Sequence, residues 1–144
     1  MIYKHKNAFS LIEISVVLLV IGIAIAGISQ GMDLYSDMRL TSARKITQNS
    51  RVGRIPDLIL WLETTSNESF LDSEKKDGEK ISVWNDINPS SVSKLKFLNS
   101  DTAYQPIYYA NGIGGIPSIV FDNKKYIEAS NFNIGANYTI FYCI

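Results

Sequence analysis

An uninterrupted apolar segment near the N-terminus dominates the hydropathy pattern of this chain. Residues 8 to 28 read AFSLIEISVVLLVIGIAIAGI, and Glu13 is the single charged residue among them. As an α-helix, Phe9 to Ile28 would extend about 30 Å, which matches the hydrocarbon thickness of a bilayer. A carboxylate inside hydrocarbon costs about 2.5 to 3.5 kcal/mol, so Glu13 indicates a functional role with a specific partner.

The charges that flank this segment predict its orientation. Lys4, His5 and Lys6 precede it, whereas the first charges that follow it are Asp33 and Asp37. The positive-inside rule therefore places the N-terminus in the cytoplasm. After a single pass, the remainder of the chain is expected on the other side of the membrane.

Helical periodicity continues beyond the apolar segment. Residues at steps of three and four follow it: Met32, Tyr35, Met38, Ser42, Ile46 and Asn49. This spacing predicts one helix from Phe9 to about Asn49, spanning the membrane over residues 9–28. Gly53 and Pro56 are helix breakers, so we predict a helical domain over 9–52 and a boundary between residues 50 and 56.

Short β-prone segments separated by turn signals fill the second half of the chain. The segments are Leu58–Leu62, Lys80–Trp84, Lys94–Leu98, Pro106–Tyr109, Ser118–Phe121 and Tyr138–Ile144. Pairs such as Asp77-Gly78 and Asn111-Gly112 punctuate them at the spacing of an antiparallel sandwich. The sequence therefore predicts an α+β protein in which a long N-terminal helix precedes a β domain at 53–144.

The start of the apolar segment resembles the processing and methylation site of type IV prepilins and type II secretion pseudopilins. In that family a short basic leader ends in Gly and is followed by Phe, Thr, Leu, Ile and Glu. This chain has Ala8 and Ser10 at the Gly and Thr positions. The resemblance implies a leader at residues 1–8, cleavage between Ala8 and Phe9 by a prepilin peptidase, and N-methylation of Phe9. It also implies a bacterial inner-membrane protein with a periplasmic C-terminal domain, which reaches a filament or the cell surface after assembly.

The same resemblance implies an assembly role for Glu13. In the family, the equivalent Glu is thought to pair with the N-terminal amine of an adjacent pilin-like subunit. Glu13 lies one helical turn after Phe9, at i,i+4 spacing, and a buried ion pair of this kind is better understood as a register device than as a source of stability. The alternative is that Glu13 extends to the cytoplasmic interface without a protein partner.

An ordinary signal peptide is a second interpretation of the N-terminus. A basic region, an apolar core and Ala24-Ile25-Ala26 satisfy the outline of a signal with an A-x-A cleavage site. Cleavage after Ala26 would release a soluble protein. Glu13 counts against this interpretation, since it interrupts the front of the apolar core.

The second half resembles a laminin-G-like domain of the concanavalin A-type jelly-roll class. The similar segments are LILWLETT, KISVWNDINPS, QPIYYANGIGGIPSIVFDNKKYIEAS and YTIFYCI, and the matching residues are Leu60, Trp61, Trp84, Asn85, Asp86, Gln105, Pro106, Pro117 and Phe121. Complete sandwiches of this class have about twice as many strands, so we expect 53–144 to be a partial jelly roll and the chain a truncated product. The loop after Asp86 also departs from the family pattern.

Composition and spacing argue against catalysis and nucleic-acid binding. The chain has 14 basic and 14 acidic residues, and loss of the leader would remove Lys4 and Lys6, so no basic field favours nucleic acid. The single histidine, His5, lies in the leader, and no catalytic triad or metal-ligand spacing is present. The acidic stretch Asp72–Gly78 misses the alternating positions of a calcium loop. We therefore expect no enzyme, cofactor or metal, and the lone Cys143 cannot form an intrachain disulfide.

Aromatic residues give a weak indication of glycan binding. Trp61 and Trp84 are expected to pack between sheets, which leaves Tyr108, Tyr109 and Tyr126 as candidates for stacking on a sugar. Aromatic residues in strands are more often part of the core. The sequence thus predicts a structural pilin-like subunit, and the alternative is a secreted or membrane-anchored carbohydrate-binding module.

Overall fold

The structure is a computed structural model that describes residues 10–122, 124–130 and 132–142. The chain divides into two compact units, Met1–Met38 and Arg39–Ile144. One helix, α1, spans Leu11–Gln48 and contributes residues to both units. The predicted long N-terminal helix is therefore confirmed. The prediction that it starts at Phe9 lies outside the described residues.

In the first unit, α1 is a single apolar helix whose side chains are exposed. Its length and composition would allow it to cross a membrane. An 18-residue window of the helix has a mean hydropathy of 2.8, and 0% of that window is buried. Large exposed apolar side chains include Leu11, Val17 and Ile23. An apolar helix without a protein covering is expected to be covered by lipid, because water would otherwise contact its whole surface.

Two small antiparallel sheets form the regular part of the second unit. The first sheet pairs β1, Val83–Asn85, with β2, Lys96–Leu98, and the second pairs β3, Ile107–Tyr109, with β4, Ser118–Val120. Short 3₁₀ turns lie at Val52–Arg54, Asp72–Glu74 and Ile113–Gly115. Isolated bridges join Lys80 to Ile107 and Leu98 to Glu128.

The described residues form two two-stranded antiparallel sheets and no complete sandwich, so the partial β-sandwich stays a prediction. Leu58–Leu62 is not a strand: it has one long-range backbone bond, from Ile87 N to Trp61 O, and side chains of the same loop supply other bonds to its backbone. Trp61 N donates to Asp86 Oδ1 at 3.0 Å, and Leu58 O accepts from Asn88 Nδ2 at 2.6 Å. The described part of Tyr138–Ile144 forms no strand either, and residues 143 and 144 lie outside the described part.

The core of the second unit is an aromatic cluster to which both sheets contribute. Phe70, Ile81 and Tyr108 are buried, and Trp84 of β1 and Ile119 of β4 pack against them. The Phe70 ring centroid lies 5.7 Å from those of both Trp84 and Tyr108. Because burial disfavours the charged phenolate, the pKa of Tyr108 is raised above its usual value.

Asp86 and Asn88 form a buried polar cluster that fixes the loop after β1. Asp86 is 1% exposed, and its Oδ1 accepts hydrogen bonds from Trp61 N and from Asn88 N, the latter at 2.9 Å. The Asn88 Oδ1 in turn accepts from Ser90 N at 2.9 Å. These side chains take the place of strand pairing, since each satisfies backbone groups that would otherwise be buried without partners.

Two arginines of the C-terminal part of α1 bond to loops of the second unit. The Arg44 guanidinium donates to Thr65 O at 2.7 Å, and Arg39 donates to Gly114 O. Gly114 and Gly115 have φ values of 62° and 74°, a conformation that favours glycine. The arginines therefore hold this end of the helix against the surrounding loops.

Candidate functional site

The predicted processing residues lie at the edge of the described chain. Ala8 and Phe9 are outside the described residues, and Ser10 is the first residue that the structure describes. Their predicted roles in cleavage and methylation therefore stay predictions. The described residues that follow, from Ser10 onward, show how the helix begins immediately after the predicted cleavage position.

Glu13 caps the N-terminus of its own helix. Its Oε2 accepts a hydrogen bond from Ser10 N at 2.7 Å, and Ile14 N donates to Ser10 O at 3.2 Å as the helical bonding starts. A Glu three residues after a Ser at the helix start is the reciprocal half of a capping box. The carboxylate also lies close to the positive end of the helix dipole, a position that acidic side chains commonly occupy.

No positive charge pairs with Glu13 within the described residues. The ion pairs found there join Lys75 to Asp72, Lys94 to Glu68, and Lys125 to Asp122. The neighbours of Glu13 on the helix surface are Ile14, Val17 and Leu18, all of them apolar. Glu13 thus carries a charge in an apolar surface, with one backbone N–H as its local donor.

Two serines of α1 form side-chain hydrogen bonds within the helix. The Ser15 hydroxyl donates to Ile12 O at 2.8 Å, and the Ser29 hydroxyl donates to Ile25 O at 3.2 Å. This back-bonding allows serine to lie in a membrane helix without an unsatisfied hydroxyl. Glu13 is the one charged side chain in this segment, and the donor that the described residues supply to it is the Ser10 N–H.

The A-x-A sequence lies inside an uninterrupted helix. Ala24 and Ala26 belong to α1, which continues for more than twenty residues beyond them to Gln48. Gly27 and Gly31 are also helical, with open space where a Cβ would be placed. No helix break marks the cleavage position that the signal-peptide interpretation requires.

The three tyrosines that the sequence predicts as glycan contacts differ in their burial. Tyr108 is 5% exposed and belongs to the core, whereas Tyr109 and Tyr126 are 39% and 46% exposed. Burial removes the ring face of Tyr108 from a ligand. Tyr126 packs beside Tyr104, which the sequence reasoning did not select, with ring centroids 6.1 Å apart. A role in glycan binding stays a prediction for the two exposed tyrosines.

The acidic stretch at Asp72–Gly78 is organised around a lysine. Lys75 Nζ lies 2.6 Å from Asp72 Oδ1 and 2.6 Å from Asn67 O. Hydrogen bonding from Lys75, together with its charge, holds the pKa of Asp72 below its usual value. The Asp72 carboxylate, which a bound cation would need as a ligand, is thus already paired with the ammonium group of Lys75.

Sequence reasoning missed two features of these sites, and the sequence signals one of them. The string Ser10-Leu11-Ile12-Glu13 is a capping-box pattern directly before an apolar run, and it could have predicted the Ser10–Glu13 bond. The pairing of Tyr104 with Tyr126 has no local signal, because the two residues come together through the folding of separate segments.

Comparison with known proteins supports the interpretation of the N-terminus as a pilin-type methylation motif. No curated protein and no solved structure matches the chain. Residues 3–29 match a family model described as the prokaryotic N-terminal methylation motif. This range contains the whole apolar segment, residues 8–28, with Ala8, Phe9 and Glu13. The motif implies processing by a prepilin peptidase and assembly with other pilin-like subunits, and it indicates a type IV pilin-like or pseudopilin precursor.

Proposed function

We propose that this protein is a structural subunit of a type IV pilus or of a type II secretion-type pseudopilus. In this proposal residues 1–8 are a cytoplasmic leader, 9–52 form the assembly helix with its membrane span at 9–28, and 53–144 form the module displayed outside the inner membrane. Prepilin peptidase cleaves between Ala8 and Phe9, and Phe9 is then N-methylated. The match of residues 3–29 to the methylation motif is the observation that carries the proposal.

The environment of Glu13 supports an assembly role. Its carboxylate lies among apolar side chains, and the described residues supply one backbone N–H but no positive charge. Cleavage before Phe9 would create a cationic amine next to Ser10, whose N–H already lies 2.7 Å from Glu13. In the assembled filament, the amine of an adjacent subunit would compensate the charge of Glu13 and thereby fix the register between helices.

The properties of α1 support membrane insertion before assembly. Its apolar segment is exposed and long enough to span a bilayer, and the hydroxyls of Ser15 and Ser29 are hydrogen-bonded within the helix. Membrane spans of this composition are stable because all of their backbone bonds are internal. With Lys4 and Lys6 on the cytoplasmic side, the second unit would be periplasmic before assembly.

A secreted or membrane-anchored carbohydrate-binding module is the alternative function. It requires either cleavage after Ala26 or retention of an uncleaved anchor. The unbroken course of α1 through Ala24, Ala26 and Gly27 favours the pilin-like proposal, because signal cleavage requires a non-helical site. The laminin-G-like relationship of 53–144 stays a prediction on either reading, since no family model covers this region.

The mass of the N-terminal peptide tests the proposal directly. The protein would be extracted from bacterial membranes that contain a prepilin peptidase, digested and analysed by mass spectrometry. A methylated Phe9 is the expected N-terminus. Gly27 as the first residue would instead establish signal cleavage, and an intact Met1 would establish an unprocessed anchor. Either of these two results contradicts the proposal.

Substitution of Glu13 tests the assembly step separately. Glu13→Leu removes the charge from the apolar segment and is expected to leave membrane insertion and N-terminal cleavage intact. Filament incorporation, measured in sheared surface fractions, should be lost. Ser15→Ala is a matched control in the same helix, because Ser15 bonds only within its own helix turn. Equal incorporation of Glu13→Leu and wild-type subunits would contradict the assembly role.

A further inference from the structure

We propose that Asn111 is a self-modification site, at which the backbone nitrogen of Gly112 attacks the Asn111 side chain and converts it to an aspartyl residue. Asn111-Gly112 is the single Asn-Gly pair of the chain, and it lies in the connection between β3 and β4. The Asn111 side chain is exposed. Water is the only other reactant, so the modification is independent of the assembly function proposed above.

The reaction passes through a five-membered cyclic imide. The Gly112 nitrogen bonds to Asn111 Cγ while the bond from Cγ to Nδ2 breaks, and the proton of the Gly112 N–H leaves with Nδ2 as ammonia. The attack is favoured because the two reacting groups belong to adjacent residues. Water then opens the imide at Cγ to give aspartate, or at the Asn111 carbonyl carbon to give isoaspartate, which has one more carbon in the main chain.

The nucleophile and the group that it attacks are both free of hydrogen bonds to other described residues. In the connection between β3 and β4, Gly115 N donates to Gly112 O at 3.2 Å, and Ile116 N donates to Ile113 O at 3.1 Å. Within the described part of the chain, neither the Gly112 N–H nor the Asn111 amide has such a partner. Glycine also has no side chain that would shield its nitrogen. No bond to the protein therefore has to break before the ring closes.

Asp77-Gly78 provides a contrast within the same unit. Aspartate before glycine can form the same imide, with loss of water instead of ammonia. Here Gly78 N donates to Tyr108 O at 2.8 Å, and Asp77 Oδ1 accepts from Ala110 N at 2.9 Å. Each of these bonds must break before the ring can close, at a net cost of about 1 kcal/mol. The fold thus protects Asp77 and leaves Asn111 reactive.

Packing keeps the reactive glycine in place and makes its conversion costly. A Cβ at Gly112 would lie 2.7 Å from the Ser118 Cβ, so a side chain that shields the nitrogen does not fit there. An isoaspartyl residue would insert its additional carbon directly before this closely packed position. The new carboxylate would also add a negative charge to a chain of zero formal net charge at pH 7. We therefore expect the modified protein to be more acidic and less stable.

Peptide mapping of the full-length protein, incubated in detergent at mildly alkaline pH, tests the proposal. The peptide that contains Asn111 should gain the mass that accompanies replacement of NH₂ by OH, in two isomeric products, while ammonia is released in equal amount. Asn67 and Asn137 are also exposed, but Glu68 and Tyr138 follow them, so both should remain unchanged over the same period. Electron-transfer fragmentation should detect no isoaspartate at Asp77 in the folded protein.

Asn111→Gln is the matched control, because glutamine keeps the amide but would have to close a slower six-membered ring. The melting temperature of wild type should fall as Asn111 is converted, whereas that of Asn111→Gln should stay constant. An equal fall in both proteins would contradict the expected cost of conversion.

The rate in urea separates the contribution of the fold from that of the dipeptide. Because the Gly112 N–H has no bond to open, Asn111 in the folded protein should be converted within about fivefold of its rate in the unfolded protein, the factor that one backbone hydrogen bond would supply. The proposal is wrong if Asn111 stays unmodified in the folded protein, if folding slows its conversion by more than this factor, or if Asn67 and Asn137 are converted equally fast.

Discussion

Removal of the Glu13 carboxylate should open the first turn of α1. In Glu13→Ala, the Ser10 N–H loses the acceptor that lies 2.7 Å away in the wild type. The loss of a helix cap costs about 1 kcal/mol, and the loss of a carboxylate near the positive end of the helix dipole adds about 0.3 to 1 kcal/mol. The opening equilibrium of this turn should therefore rise by a factor of about five or more, since about 1.4 kcal/mol is tenfold.

Amide hydrogen exchange of the Ser10 N–H measures this change. The uncleaved full-length protein, labelled with ¹⁵N and held in detergent micelles, should exchange this proton at least about fivefold faster in Glu13→Ala than in wild type. Glu13→Gln is the matched control, because glutamine keeps a side-chain oxygen that can accept the same bond. Because it loses only the dipole contribution of about 0.3 to 1 kcal/mol, its exchange rate should rise by about 1.6- to 5-fold, less than in Glu13→Ala.

The two variants also separate the helix cap from the charge. Glu13→Gln keeps the cap but loses the negative charge, so the proposed assembly role predicts slower exchange at Ser10 than in Glu13→Ala together with lost filament incorporation. The reasoning about the cap would be refuted if Ser10 exchanged at the same rate in Glu13→Ala and in wild type. If Glu13→Gln were incorporated normally, the reasoning about the cap would still stand, but the requirement for a charge at Glu13 would be refuted.

Three further predictions concern the second unit. Asp86→Ala should lower the free energy of unfolding by about 3 kcal/mol in urea titrations, because two backbone N–H groups lose their acceptor, and Asp86→Asn should cost clearly less. Gly112→Ala should destabilise because its Cβ would lie 2.7 Å from the Ser118 Cβ and overlap the hydroxyl, and Ser118→Gly in the same chain should restore most of the loss. Burial raises the pKa of Tyr108 above 10.0, so this tyrosine ionises at a lower pH in the unfolded chain than in the folded protein. The free energy of unfolding should therefore fall as the pH rises above about 10, and Tyr108→Phe should remove that part of the decline. A Tyr108→Phe curve of unchanged shape, or no rescue by Ser118→Gly, would contradict the respective prediction.

The helix could be predicted from the sequence because its signal is local. A run of apolar residues from Leu11 to Ile28 has no polar face, and such a run is stable as a helix whatever the rest of the chain does. Gly53 and Pro56 likewise mark the end of the helical pattern, and the observed helix ends at Gln48. Each of these predictions rests on residues that are close together in the sequence.

The β half could be predicted only in part because its pairing is not local. Predicted segments at Lys80–Trp84, Lys94–Leu98, Pro106–Tyr109 and Ser118–Phe121 each overlap one observed strand. The segment at Leu58–Leu62 has an equally β-prone composition, but Asp86 and Asn88 supply its hydrogen bonds from a distant loop. Composition reports the preference of a segment for extended structure and not the identity of its partner.

The predicted stripe on the C-terminal part of α1, which is the set of residues at steps of three and four from Met32 to Asn49, shows the same limit. Ile46 belongs to the stripe and is 70% exposed, whereas the partly buried positions there include Leu40, Ala43 and Arg44. Arg44 faces inward because its guanidinium bonds to Thr65 O at 2.7 Å. A pattern based on apolar residues does not select an arginine for the inner face, although its long stem and charged tip can serve both packing and hydrogen bonding.

The Ser10–Glu13 bond explains how the proposed subunit could remain in the membrane before it assembles. An unpaired carboxylate near the start of a membrane helix is costly, but here one backbone N–H and the helix dipole already oppose its charge. The amine that cleavage would create at Phe9 lies one residue from that N–H. In the proposed assembly, Glu13 could therefore exchange a weak local donor for a cationic partner without leaving the helix N-terminus. An exposed ion pair would contribute little, so the gain depends on exclusion of water from the contact. Assembly of Glu13 variants should accordingly depend on charge more than on helix stability, which is the distinction that Glu13→Gln and Glu13→Ala measure.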